Sequence, residues 1–145
     1  MNARILLVDD EAEFVDALAE RLTIRDYDVT TALSGEEAVE KVKQYNFDVI
    51  FLDVRMPGMD GLEVLREVRN LKPLTEVIML TGHATVETAI EGMKNGAFDF
   101  LMKPCETEAL TEKIEKAVER KHEQEERIRE AKVQDIIASP RSALE

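Results

Sequence analysis

ILLVDDE, residues 5–11, places four apolar residues directly before three acids. A short, continuous apolar run is typical of a strand that is buried on both faces of a parallel sheet. The carboxylates that follow repel one another, by roughly 4 kcal/mol for a pair about 4 Å apart at an effective dielectric constant near 20. Folding alone would not select that arrangement. The stretch therefore predicts a buried strand whose acidic end meets a cation from outside the chain.

Four further segments resemble strands, and segments with helical periodicity separate them. The strand-like segments are residues 28–32, 49–52, 77–80 and 98–102. One helical segment carries an apolar stripe of the kind that faces a core, formed by Val86, Ala89, Ile90, Met93 and Ala97. Five strands that alternate with five helices predict a doubly wound α/β fold, a parallel sheet with helices on both faces. In such sheets ligands bind beyond the carboxyl ends of the strands.

The last helix, which begins near Thr107, differs from the others. Its first part has apolar residues at core spacing, whereas residues 119–127 contain no apolar residue and must leave the core. Apolar residues return from Ile128 onward, so a solvated helical linker and a dimeric coiled coil both stay open. We expect three parts along the chain: a domain over 1–118, a helical extension or linker over 119–138, and a flexible tail over 139–145.

Composition limits the classes of function. The chain has 145 residues, with 31 acidic and 19 basic side chains and a net charge of −12 at pH 7. Direct binding of nucleic acid is therefore not expected, because it depends on clustered Lys and Arg. Cys105 is the single cysteine, which excludes an internal disulfide and fits a reducing compartment. No segment has the apolar length of a membrane span, so we expect a cytoplasmic protein without a membrane partner.

Polar side chains follow the ends of four of the predicted strands. They are Asp9, Asp10, Asp53, Thr81 and Lys103. Because the carboxyl ends of parallel strands meet at one edge of a sheet, three carboxylates, a hydroxyl and an ammonium group should share one rim. Few oxygen ligands with room left for water suit Mg²⁺ better than Zn²⁺. The sequence therefore predicts a Mg²⁺ site at this edge.

Four motifs together resemble the receiver domain of two-component response regulators. They are Leu7-Val8-Asp9-Asp10, Leu52-Asp53-Val54-Arg55-Met56-Pro57-Gly58-Met59-Asp60-Gly61, Thr81-Gly82 and Lys103-Pro104, and the likeness covers about residues 3–118. The resemblance implies the flavodoxin-like strand order 2-1-3-4-5 and a cis Lys103-Pro104 bond. Residues 96–104 and the long helix after them resemble in particular the receivers that precede ATPases activating alternative-sigma-factor transcription. An ATPase of that kind would lie beyond residue 145.

The resemblance also implies a role for each site residue. Asp53 would accept a phosphoryl group from a sensor histidine kinase or a phosphotransfer protein and form an acyl phosphate. Thr81 and Lys103 would contact that phosphoryl group. Mg²⁺ would be held by Asp9, Asp10, Asp53 and the backbone carbonyl of Arg55. The protein would thus be a phosphoacceptor switch that assists its own phosphorylation and dephosphorylation, and not an enzyme that turns over a substrate.

Residues that transmit and time the signal follow from the same resemblance. In this family a threonine moves toward the phosphoryl group and an aromatic side chain on strand five turns inward behind it; here these are Thr81 and Phe100. Arg55 and His83 occupy positions that vary with function, and their size predicts slow hydrolysis of the acyl phosphate. The signal would reach the face of helix four, strand five and helix five. A homodimer through that face or through the C-terminal helix stays open.

Three other functions were weighed against these residues. A Mg²⁺-dependent phosphohydrolase of the haloacid-dehalogenase type would carry its nucleophile in a D-x-D motif after strand one, whereas Asp9 and Asp10 are adjacent. A flavin-binding module would need phosphate donors in that loop, where the acids would instead repel the phosphate. A scaffold that works without phosphorylation would have no need of the full constellation. The switch is the interpretation that uses every residue.

Overall fold

Strands and helices alternate along the described part of a computed structural model, which covers residues 2–82 and 86–138. The elements are β1 (Arg4–Val8), α1 (Ala12–Ile24), β2 (Asp28–Ala32), α2 (Gly35–Gln44), β3 (Val49–Asp53), α3 (Gly61–Leu71), β4 (Glu76–Thr81), α4 (Val86–Lys94), β5 (Asp99–Met102) and α5 (Thr107–Ala138). Each strand lies within a residue or so of its apolar run. The predicted tail over 139–145 and the predicted tuning residue His83 lie outside the described residues.

The sheet is parallel throughout, and its strand order is β2-β1-β3-β4-β5. The predicted fold class and strand order are confirmed. Val8 pairs with Leu52 across β1 and β3, and Asp53 pairs with Leu80 across β3 and β4. The central strands therefore end side by side, on the same edge of the sheet. The order reverses between β1 and β3, so a crevice for a ligand is expected beyond their carboxyl ends.

Two hydrophobic cores, one on each face of the sheet, explain why the strands read as continuous apolar runs. Along β1, Leu6 and Val8 pack with α2 and α3, whereas Ile5 and Leu7 pack with α1 and α5. All four side chains are buried. A strand whose alternate residues enter different cores needs apolar residues at every position.

Helix α4 and the edge strand β5 are only partly covered. Of the predicted stripe, Ala97 is buried but lies beyond the end of α4, whereas Ile90 and Met93 on the helix are 48% and 45% exposed. On β5, Phe100 and Met102 are 37% and 48% exposed. Two of the stripe residues therefore belong to an apolar surface beside the edge strand and not to the core.

Helix α5 continues without a break beyond the core-facing residues. Its middle is held to the amino-terminal edge of the sheet by ion pairs: Arg120 lies 3.4 Å from Glu76 and Lys121 lies 3.0 Å from Asp48. Glu76 is buried at the start of β4, and burial raises its pKa. The extension therefore leaves the domain in a direction that these two contacts fix. No helix among the described residues is long and apolar enough to span a membrane.

Candidate functional site

An acid cluster of Asp9, Asp10 and Asp53 lies at the carboxyl edge of the sheet. One carboxylate oxygen of each residue lies within 4.8 Å of the others. Asp9 and Asp53 are buried, at 2% and 6% exposure, whereas Asp10 is exposed. The convergence follows from the sheet, because β1 and β3 are paired neighbours and both end here. Oxygen donors of this kind, with one side open to water, fit a hard divalent cation such as Mg²⁺.

Lys103 extends from the end of β5 into the acid cluster. Its Nζ forms a hydrogen-bonded ion pair with Asp9 and lies 3.8 Å from an oxygen of Asp53 and 3.8 Å from one of Glu11. Burial lowers the pKa of Lys103, but the hydrogen bond that its ammonium group donates to Asp9 and the charges of Asp53, Asp9 and Glu11 outweigh burial, so the net pKa is raised. The ammonium group therefore stays charged beside the acids. The Lys103-Pro104 bond is cis.

Asp53 carries the strongly perturbed carboxyl of the site. Its pKa is raised from 3.8 to about 6: burial is the largest cause, the charge of Asp9 adds to the rise, and the charge of Lys103 opposes both. One carboxylate oxygen faces Lys103, and the other accepts a hydrogen bond from the backbone N–H of Arg55 at 3.4 Å. A buried carboxylate that titrates near neutral pH beside a fixed cation is a candidate for a nucleophile.

The raised pKa predicts that Asp53→Asn stabilises the metal-free protein, and does so more strongly as pH rises. A carboxyl whose folded pKa lies above its unfolded pKa contributes stability below pH 3.8, which is lost as pH rises through about 6. After allowance for solvent screening, we expect the variant's advantage in free energy of unfolding to be about 1 to 2 kcal/mol larger at pH 7.5 than at pH 4.5. Urea denaturation with a chelator present measures it.

The same measurement with Mg²⁺ in place of the chelator provides the control. The wild type should gain stability from the ion, whereas the variant lacks one of the three carboxylates of the acid cluster, so the advantage should shrink or reverse. If the difference in free energy of unfolding between variant and wild type stays constant from pH 4.5 to pH 7.5 without metal, the pKa of Asp53 is not raised in the folded protein.

The other predicted site residues lie at the same edge with different exposures. Thr81 is 4% exposed at the end of β4, next to Leu80, which pairs with Asp53. The Arg55 side chain is exposed, and its backbone lies in the loop after β3. The Phe100 ring is partly exposed and lies beside α4, outside the acid cluster. The structure thus brings Lys103 to Asp53, places Thr81 at the end of the neighbouring strand, and places Phe100 on the adjoining surface.

Two neighbours of Lys103 were not among the predicted site residues. Phe14 lies under the ammonium group, with Nζ 4.5 Å from the ring centroid, and Glu11 lies at the rim. A cation over an aromatic ring is attracted by the ring's quadrupole. The sequence pattern assigns Phe14 to the core stripe of α1. Its place in the first turn after the acids was the signal that could have located it at the site.

The chain was compared with known proteins. The family described as response regulator receiver domain matches residues 5–115. Transcriptional regulatory protein ZraR of Escherichia coli (strain K12) is 40% identical over 121 residues, which cover 83% of this chain and 27% of that protein. Regulatory protein AtoC of the same strain is 35% identical over 116 residues, which cover 80% of this chain and 25% of that protein. The chain therefore spans about a quarter of the length of these curated relatives.

Solved structures give the same picture of the fold. A response regulator receiver domain protein from Methanospirillum hungatei JF-1 superposes with a TM-score of 0.82 at 30% identity, and the match covers 86% of this chain and 99% of that one. NtrX from Brucella abortus, in a complex with ATP, has a TM-score of 0.82 at 33% identity, with 87% of this chain and 29% of that one covered. The architecture and the sequence point to the same family.

Proposed function

Because the chain belongs to the response regulator receiver domain family, we propose that it is a phosphorylation-activated switch whose acceptor is Asp53. The proposal depends on one observation, the set of charged groups that surrounds the Asp53 carboxylate. Asp53 lies in the acid cluster, with one oxygen 3.8 Å from the Lys103 ammonium group. A nucleophile, a cation site and a fixed positive charge therefore meet at one point, which is what phosphoryl transfer requires.

The phosphoryl donor is a phosphohistidine of a sensor histidine kinase or of a phosphotransfer protein. An oxygen of Asp53 forms a bond to phosphorus while the phosphorus–nitrogen bond breaks, and the imidazole leaves with its electron pair. At neutral pH most Asp53 is ionised, since its pKa is about 6, and so it can attack. Lys103 then pairs with the transferred group, and the Thr81 hydroxyl donates a hydrogen bond to it.

Mg²⁺ would be held by Asp9, Asp10, Asp53 and the backbone carbonyl of Arg55, and it would supply positive charge against the phosphoryl oxygens. The carboxylate donors, and the exposure of Asp10, fit such an ion. The chain's own residues position the acceptor and the charges for both transfer and hydrolysis. Arg55 and His83 are proposed to restrict the approach of water to the acyl phosphate and so to prolong its life.

The signal is proposed to leave through the face formed by α4, β5 and α5. Thr81 moves toward the phosphoryl group, and Phe100 turns inward from its present, partly exposed position. Such a change shifts a two-state equilibrium of this face, where Ile90 and Met93 are exposed. Their exposure supports the face as a contact surface for a partner, for an output domain or for a second copy of the chain.

The wider role is proposed to be the regulation of transcription in the cytoplasm. Relatives such as the transcriptional regulatory proteins ZraR and GlrR support it, and they are about four times as long as the matched segment. We assign residues 1–118 to the receiver, 119–138 to a helical linker that also offers a route to dimerisation, and 139–145 to a tail. The net charge of −12 argues against direct contact of this chain with nucleic acid. No membrane partner is proposed.

Phosphorylation in vitro tests the function. Incubation with a small acyl phosphate donor and Mg²⁺ should add a single phosphoryl mass to the protein, as seen by intact mass spectrometry. Asp53→Ala should remove the addition, and a chelator should prevent it. Asp16→Ala is the matched control, since Asp16 is an exposed aspartate outside the acid cluster.

Two outcomes would contradict the proposal. If the wild-type protein gains no phosphoryl mass, it does not have the acceptor function. If the Asp53→Ala variant still gains that mass, the acceptor is another residue. Steady turnover of a free phosphomonoester would instead favour a phosphohydrolase.

A further inference from the structure

The loop between β3 and α3, residues 54–60, is held near its carboxyl-terminal end by a side chain from another helix. The Glu36 carboxylate, in the first turn of α2, accepts a hydrogen bond from the backbone N–H of Met59 at 2.9 Å. This loop contains Arg55, whose carbonyl belongs to the proposed Mg²⁺ site. We propose that Glu36 is a positioning residue, which sets the place of the Arg55 carbonyl by holding the loop. The inference rests on the proposed function.

The backbone of the loop is shaped to receive this carboxylate. Gly58 has a φ of +76°, and a Cβ built there would lie 2.9 Å from the same Glu36 oxygen. A side chain at Gly58 would therefore both strain the backbone and push the carboxylate away from Met59. The glycine lets the acceptor approach the loop closely.

Helix α2 also contacts Met59 at its carbonyl group. A Cβ built on Gly35, the first residue of α2, would lie 2.5 Å from the Met59 carbonyl oxygen. The N–H of Met59 thus bonds to Glu36 while its carbonyl packs against Gly35. These two independent contacts fix one residue of the loop to the amino-terminal turn of α2.

Both ends of the loop are anchored as well, so a displacement at Met59 has few ways to be absorbed. The Gly61 N–H donates to the Val54 carbonyl at 3.0 Å, and the Arg55 N–H donates to Asp53. Because both ends of this seven-residue loop are fixed, a shift of Met59 is passed to the loop residues between it and Arg55. Loss of the Glu36 contact should therefore loosen Arg55 without disturbing the strand that carries Asp53.

The charged form of Glu36 is the form that the loop binds. Its own backbone N–H and that of Met59 hold the pKa of the Glu36 carboxyl below its ordinary value. A plainer role for an acid in the first turn of a helix is a favourable interaction with the helix dipole. A glutamine separates the two roles, because it keeps an acceptor for Met59 but loses the charge.

Calorimetric titration with Mg²⁺ tests the positioning role in the full chain. Glu36→Ala should weaken Mg²⁺ binding by about threefold to tenfold, the equivalent of one lost hydrogen bond. Glu36→Gln should bind within about twofold of the wild type. Glu40→Ala, an exposed glutamate on the same helix, is the matched control and should also leave binding unchanged.

Hydrogen exchange in the metal-free protein gives a second measurement that does not depend on the ion. The Met59 amide should exchange faster in Glu36→Ala and at the wild-type rate in Glu36→Gln. Unchanged Mg²⁺ affinity in Glu36→Ala, or equal losses in the Ala and Gln variants, would overturn the positioning role alone. A wild type that does not bind Mg²⁺ would overturn the proposed function and this inference together.

Discussion

Gly61→Ala is expected to reduce the free energy of unfolding by about 3 kcal/mol, because the new methyl group has no space. A Cβ at Gly61 would lie 2.3 Å from the Asp53 carbonyl oxygen and 2.8 Å from the Val54 Cα. Both are backbone atoms at the end of a buried central strand, so no flexible side chain can move aside. Either α3 separates from β3 or the backbone that carries Asp53 is displaced.

Urea denaturation of the wild type and the variant measures this loss. Gly82→Ala is the matched control, since a Cβ there would lie at an ordinary contact distance of 3.9 Å from the Lys103 Cβ. That control should change stability by less than about 1 kcal/mol. If Gly61→Ala unfolds at the wild-type urea concentration, the close approach of α3 to β3 is not a constraint on the folded protein.

Lys103→Met is the second change for which a large loss is expected, of about 3 kcal/mol in the absence of metal. The ammonium group contacts Asp9 and lies 3.8 Å from Asp53, and both carboxylates are almost fully buried. Its removal leaves two neighbouring buried acids without a countercharge. Because Lys103 lowers the pKa of Asp53, that pKa should rise further in the variant.

Mg²⁺ should restore much of the stability that Lys103→Met loses, since the carboxylates of the acid cluster no longer pair with the Lys103 ammonium group and are free to bind the ion. The measurement is urea denaturation at pH 7.5 with Mg²⁺ and with a chelator, and the gain from Mg²⁺ should be larger for the variant than for the wild type. Lys43→Met, on an exposed side chain of α2, should change stability by no more than about 0.5 kcal/mol. An equal gain from Mg²⁺ in wild type and variant would mean that Lys103 and the ion do not compete for the same carboxylates.

The sheet was predictable because its signals are local. Residues 5–8 of β1 are all apolar, since their side chains alternately enter two different cores, and this pattern identifies a doubly covered strand without knowledge of its partners. Once the strands are parallel, the residues that follow them must share an edge. That geometric rule alone anticipates the meeting of Asp9, Asp53 and Lys103, whereas the strand order came from the resemblance to receivers.

The features that could not be predicted depend on distances between elements. Helical spacing places Ile90 and Met93 on the apolar side of α4. It does not show that the edge strand is too short to cover that side, so their exposure could not be predicted. In the same way, Phe14 packs against one core as its helical spacing indicates, but that spacing does not reveal that its ring also lies under the Lys103 ammonium group. The hydrogen bond between Glu36 and Met59 joins residues 23 positions apart through a backbone N–H. Every residue except proline has this group, so the identity of Met59 gives no sign of the contact.

The long helix α5 has a mechanical consequence. The 17 residues from 122 to 138 follow the ion pairs at Arg120 and Lys121, so the far end of α5 lies roughly 26 Å from these two contacts, which act as a fulcrum. A tilt of about 5° at the fulcrum would move the tip by roughly 2 Å, more than most side chains move within a packed core. The strand that supplies Glu76 to the fulcrum ends at Thr81, next to the residue that pairs with Asp53, so a small displacement along β4 would be magnified at the tip of α5.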